Sequence, residues 1–219
     1  TLLWGDDAEL QRIAVTGEAR VVGQSSIASH LLWQFVASNF VRWATWLPLD
    51  EAGRVTLVSA IAAALVIIPL ALTIRDISRQ VGLGSRAAAV GSVVGAVALG
   101  LSHTFWLLAS RPDAYTIQTF LLASALWAAV RASGSASPWR WWLVIVGIVA
   151  VTLTNHAMVL ASLPGLGIVA ISGRVERRGV WVSGGLAIGI GVVVIGVALG
   201  GGFPFGALAA TLARYRPQL

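Results

Sequence analysis

Apolar runs of membrane-spanning length, broken by short polar stretches, set the predicted architecture of the chain. Such runs at residues 55–74, 87–108, 114–130, 141–154, 158–171 and 180–199 predict six spans, because about 20 residues at a 1.5 Å rise cover the roughly 30 Å hydrocarbon core. Residues 6–22 mix polar and apolar positions with acids near the start, which predicts a short helix at the membrane surface. Residues 30–47 are rich in tryptophan and carry Gln34, Asn39 and Arg42. Aromatic rings favour the headgroup zone, so this segment reads as an interfacial helix, with a tilted span as the alternative. Pro48, Asp50 and Glu51 end it. The expected fold class is all-α, a polytopic membrane helix bundle with interfacial helices at the outer face. Its parts are an outer-face segment (1–52), a six-span bundle (53–200) and the start of a further part (201–219).

Charge then orients the bundle. Arg75, Arg79 and Arg86, then Arg131 and Arg140, then Arg174, Arg177 and Arg178 sit in alternate loops. The positive-inside bias makes those loops cytoplasmic. Asp6, Asp7, Glu9, His30, His103, Arg111, Asp113, Asn155 and His156 consequently fall together at the opposite, outer face.

Composition agrees with a membrane solvent. At 57% hydrophobic and 11% charged residues, the chain has too little polar surface to cover a water-soluble globule of its length. A net charge of +6 would point to nucleic acid in a soluble protein. Here the excess resides in loop arginines that set topology and meet anionic lipid heads, so membrane lipid is an expected partner and nucleic acid is not. The absence of cysteine removes thiolate chemistry and disulfides. All 15 basic residues are arginine, which excludes a lysine Schiff base or a Walker-type lysine. The start at Thr1 and the stop at Leu219 predict further sequence, including a preceding signal or anchor span, outside this chain.

Three outer-face groups carry candidate chemistry. Asp6, Asp7 and Glu9 open the first helix, where acids ordinarily cap and complement the dipole. A carboxylate there is also placed to accept a proton from an acceptor hydroxyl, and Asp6 and Glu9, three apart, share a helix face. The second group is His103, Arg111, Asp113 and Tyr115, where one span ends and the next begins. Asp113 in an exposed loop would simply cap the following helix. Alternatively, the Arg111 guanidinium holds a phosphate in its planar fork while Asp113 or Tyr115 orients it or the substrate. The third is Asn155 and His156 in the turn of an apolar hairpin, where polar residues are expected in any case. His30, His103 and His156 lack paired i,i+4 ligand spacing, so neither a metal nor a cofactor is expected. Gly82 and Gly84 follow no strand and make no nucleotide fingerprint.

Read in order, these stretches resemble a family. Asp-x-x-Glu at residues 6–9, a His-led amphipathic helix at 30–48, Arg-Val-x-Leu-x-Ser-Ala at 54–60, Thr-Phe-Trp with a following acid-x-Tyr at 104–115, and Asn155-His156 look like the bacterial multispan proteins related to protein O-mannosyltransferases, in the GT-C class of glycosyltransferases. The resemblance covers residues 2 to about 165. It implies a GT-C bundle in the bacterial plasma membrane with its active site outward, moving a sugar, usually mannose, from a polyprenyl-phosphate donor to a protein or glycan acceptor. Asp6 matches the acid assigned as catalytic in that class, and Asp7 is its neighbour. Two departures stand out: His30-Leu31-Leu32-Trp33 replaces a usual His-Pro-Pro-Gly, and Asp113 stands where glutamate is common. Trp33, Trp43 and Trp46 would form a lipid-side wall or anchor the helix. The competing readings are a secondary transporter and a noncatalytic membrane scaffold. A transporter places its polar residues near mid-membrane on broken helices, whereas these gather at one end.

Overall fold

The computed structural model describes residues 7–16, 30–156 and 159–171, and these form eight helices with no strand among them. Helix α1 (Asp7–Thr16) and α2 (Leu31–Trp43) precede the long α3 (Glu51–Gln80). α4 (Ser85–Gly100) and the short α5 (His103–Ala109) lead to α6 (Tyr115–Ser133), followed by α7 (Pro138–Leu153) and α8 (Val159–Ile171).

Asp50 and Glu51 do not merely end the preceding helix. Asp50 is the N-cap of α3, its Oδ1 accepting from the Gly53 amide at 2.7 Å, and Glu51 is the first helical residue, complementing the dipole. Pro69 inside α3 leaves the helix unbroken, as membrane helices tolerate, and the Thr73 hydroxyl donates to the Pro69 carbonyl at 2.7 Å. The turn into α4 runs through Gly82, whose φ of +89° suits a residue without Cβ. Gly95 of α4 lies where a Cβ would collide with the Ile74 side chain, so it permits close approach of α3 and α4.

α3 and α6 run parallel. At one end the Ser59 hydroxyl of α3 meets the backbone of Asp113, and at the other Gln80 Nε2 donates to the Val130 carbonyl at 2.9 Å. α4 and α5 make the return path between them. α1 and α2 pack beside the start of α3, so Leu10, Ala14, Trp33, Ala37, Val55, Val58 and Ala114 form one core at that end. A second core lies between α6, α7 and α8, where Ala125, Ala128, Ala129 and Ala132 meet Ile145, Leu166 and Ala170. Small side chains on α6 let its neighbours approach closely, the means by which apolar helices associate in lipid.

Among the described residues one helix, Glu51–Gln80, is long and apolar enough to cross a membrane. The run at 87–108 is not one straight span: it breaks after Gly100, and α4 and α5 meet at a 63° bend. α7 and α8, with 16 and 13 helical residues, are apolar but shorter than a full crossing. α6 has spanning length, yet Thr116, Gln118 and Thr119 interrupt its apolar character at one end. The sixth run, at 180–199, and residues 201–219 lie outside the described residues. Val90, Val93, Val94 and Val97 form an outward apolar face on α4, each more than half exposed. A face of that kind needs lipid or protein against it, in keeping with a membrane protein.

Trp33 corrects an expectation. It is fully buried in the core beneath α1 and α3 and forms no part of a lipid-side wall, whereas Trp43 and Trp46 are exposed. The reason is phase: Trp33, Ala37 and Val41 recur at the helical period on the face of α2 turned to the bundle, and Trp43 falls on the opposite face.

Candidate functional site

The first helical residues of α2 and α6 converge with the turn after α7, and Asn155 joins them. Its Oδ1 accepts from the Trp33 amide at 3.2 Å, and its Nδ2 donates to the Ala114 carbonyl at 3.0 Å and to Gln118 Oε1 at 3.2 Å. The Asn155 carbonyl lies 2.7 Å from His30 Nδ1, so the imidazole must donate through that nitrogen. The Leu32 amide donates to the Thr154 carbonyl at 3.3 Å, closing the same junction. Asn155 has no exposed surface. Its side-chain amide is engaged by two helices, α2 and α6, and so ties the starts of both to the turn after α7.

Three rings stand over this junction. The centroids of His30 and His156 lie 5.2 Å apart, those of Tyr115 and His156 5.5 Å, and those of His30 and Tyr115 6.2 Å. Tyr115 and His156 are partly open, while His30 is buried as the residue preceding α2.

Asp113 lies beside them and is held mainly through its backbone. Its amide donates to Ser59 Oγ at 2.9 Å, and its carbonyl accepts from the hydroxyls of Ser59 and Thr116, each at 3.1 Å. Its Oδ1 accepts from the Tyr115 amide, the first of α6, at 2.8 Å, although Ala114 holds the cap position and Asp113 is buried and not in an exposed loop. Burial raises its pKa above the ordinary 3.8, the Tyr115 amide opposes that, the charge of Asp7 adds to it and the charge of Arg111 reduces it. Those two charges locate the site: α1 brings Asp7, and the short turn after α5 brings Arg111, within electrostatic reach of one carboxyl. The Arg111 amide donates to the Leu108 carbonyl at 3.4 Å, but its side chain makes no hydrogen bond or ion pair among the described residues, so the guanidinium retains its donors.

His156 is shifted the other way, its pKa lowered from 6.5 by burial. Its neutral form suits the fold, so that contribution to stability is complete above pH 6.5 and is lost as pH falls through the depressed value. Asp113 has the opposite sign. Its contribution is complete below 3.8 and declines as pH rises through the raised value. Asp113→Asn retains an oxygen for the Tyr115 amide and cannot ionise. Its melting temperature should therefore lack the decline that the parent chain shows on raising the pH from 3.8, and parallel profiles for the two proteins would contradict the assignment.

The other expected site residues divide. Glu9 binds Arg12 through two contacts, Oε2 to Nε at 2.8 Å and Oε1 to Nη2 at 2.5 Å, a pairing along one face of α1. His103 is exposed at the start of α5 and makes no ring or hydrogen-bond contact with the cluster. The bend after Gly100 gives α5 a direction of its own. Asp6 lies outside the described residues. No group of three or more metal-ligating side chains occurs among the described residues.

Ser59 and Gln118 belong to the site and were not anticipated. Both are buried polar residues on otherwise apolar helices, the one signal that could have marked them. Arg54, like Ser59 part of the 54–60 stretch, donates to the carbonyls of Leu49 at 3.2 Å and Val41 at 2.8 Å. It thereby ties the end of α2 to the start of α3.

Comparison with known proteins adds one finding. Residues 32–178 match the family model described as the protein O-mannosyl-transferase TMEM260 N-terminal domain. No curated protein and no solved structure matches the chain. The matched region takes in α2 through α8, and with them Arg111, Asp113, Tyr115, Asn155 and His156, while the acids of residues 6–9 precede it. A match over more than half of the chain shows that it belongs to the family of the protein O-mannosyl-transferase TMEM260 N-terminal domain.

Proposed function

We propose that the chain is the N-terminal part of a GT-C glycosyltransferase that moves a sugar, mannose by its family, from a polyprenyl-phosphate donor to a protein or glycan acceptor at the outer membrane face. The observation that carries this reading is that Arg111 and Asp7 both lie within electrostatic reach of the buried Asp113 carboxyl at the end of the bundle. Transfer from a phosphate leaving group needs a cation for the charge that develops on phosphate and a base for the attacking hydroxyl.

In this mechanism the donor keeps its polyprenyl chain in the bilayer and presents its phosphate to Arg111. The acceptor oxygen forms a bond to the anomeric carbon as the bond from that carbon to the phosphate oxygen breaks, the electron pair leaving with the phosphate. A carboxylate of the Asp6–Asp7 pair takes the hydroxyl proton. Asp113, buried and engaged with the Tyr115 amide, is a positioning residue that sets the start of α6, and Tyr115 with His156 borders the sugar.

Arg111 provides the test. Arg111→Lys keeps the charge and loses the bidentate fork, so donor affinity should fall about 10-fold, and Arg111→Ala should lower it further, with folding preserved because the side chain supports no described contact. Equilibrium binding of a labelled polyprenyl-phosphate sugar measures this. Unchanged affinity in a folded Arg111→Ala protein removes Arg111 from the donor site.

A further inference from the structure

The end of the bundle opposite this site holds a second ordered group of charges. Asp76 is buried in α3, where its Oδ2 accepts from Trp127 Nε1 at 3.1 Å and faces Arg131 Nη1 at 3.6 Å. Its Oδ1 lies 3.8 Å from Arg75 Nε. The Arg131 guanidinium also sits 5.2 Å from the ring centroid of Trp141, which in turn meets Trp127 edge-on at 5.5 Å. Arg131 is thus held between a carboxylate and an indole face, yet its side chain is 47% exposed.

What it borders is a cavity of about 260 Å³, shared with Arg79, Gln80, Gly134, Ser135 and Trp141. Arg79 is exposed, and its side chain makes no ion pair or hydrogen bond among the described residues. The lining of the cavity therefore holds one carboxylate, Asp76, and two guanidinium groups, Arg79 and Arg131, which leaves it positive. Topology alone asks only that arginines stand at this end. It does not explain a buried aspartate and two indoles fixing one of them in place. A planar guanidinium held in this way is suited to the oxygens of a phosphate, and a flexible one nearby completes the charge.

Depth identifies the environment. The apolar run of α3 that ends just before Arg75 covers roughly 30 Å, so Asp76, Arg79 and Arg131 lie at the level of the lipid headgroups. We propose that this cavity binds a phosphate group through Arg79 and Arg131. The leaflet in contact with it offers that chemistry as the headgroup of an anionic phospholipid, and the adjoining solution offers it as free phosphate.

Native mass spectrometry of the full chain in detergent, titrated with dioctanoyl phosphatidic acid, dioctanoyl phosphatidylcholine and inorganic phosphate, tests the site. Phosphatidic acid should bind and phosphatidylcholine should not. Arg79→Gln should weaken the binding about 10-fold, while Arg86→Gln, with the same change in net charge at an exposed position outside the cavity, should change it less than about twofold. Arg79 is exposed and unpaired, so its loss leaves the fold intact, which the melting temperature verifies. Binding of inorganic phosphate with the same Arg79 dependence identifies free phosphate as a ligand, and its failure to bind assigns the site to lipid. Equal losses in the two variants, or no loss in Arg79→Gln, overturn the proposal, because the attraction would then be diffuse charge.

Discussion

Asp6→Asn is expected to lower sugar transfer by roughly 100-fold or more while leaving donor binding in place, the scale of losing a general base. Asparagine keeps the size and much of the hydrogen bonding of aspartate and cannot take the acceptor proton. Asp7→Asn is the necessary companion. Asp7 acts on Asp113 through its charge, so its neutralisation should bring the Asp113 pKa closer to its ordinary value, with a milder effect on turnover. Transfer assays on both variants, with donor binding measured in parallel, separate the roles. Loss of turnover in Asp7→Asn alone moves the base by one residue, and full activity in both would falsify the carboxylate mechanism. An unaltered donor affinity in either variant keeps this result distinct from that of Arg111.

Asn155→Ala is expected to destabilise the fold by about 3 kcal/mol or more, although it removes a residue from a turn. Truncation leaves the Trp33 amide, the Ala114 carbonyl and Gln118 Oε1 each without the partner that Asn155 supplies, in a place with no exposed surface. A buried polar group stripped of its partner costs about 1–3 kcal/mol, and the Trp33 amide and Gln118 Oε1 both lose theirs, while the Ala114 carbonyl keeps the Gln118 amide. Asn155→Asp retains the acceptor for Trp33 but presents oxygen to two acceptors, so it should be nearly as damaging. Thermal unfolding in detergent checks the magnitude. A melting temperature within about 1 °C of the parent protein would show that Asn155 is a solvated turn residue after all.

The helical character of the chain could be read from its sequence because it depends on local pattern. Apolar runs act within a few residues, through hydrocarbon transfer, whereas the acids at 50 and 51, read as ending one helix, cap and open the next. Where neighbouring residues do not share a direction, that reading failed. The apolar run at 87–108 continues through Gly100, yet α4 and α5 meet there at a 63° bend that divides it. Trp33 likewise had the composition of an interfacial residue and the phase of a core one, and burial against α1 and α3 decided for the core.

By itself, then, the sequence determined a helical membrane chain, the division of its charge between two ends, and a short roster of polar residues at one of them. Tertiary structure alone decided what those residues do. Asn155 is bound to Trp33, Gln118 and His30 by contacts that cross 122, 37 and 125 positions of the chain. The charge of Asp7 reaches Asp113 because α1 packs on α2 and α3, and Arg131 is held by Asp76 and Trp141 because the ends of α3 and α6 meet the start of α7. Periodicity specifies which face of a helix is buried, but the partner of that face depends on how helices cross. That is a property of packing between distant segments, which no local run of residues encodes.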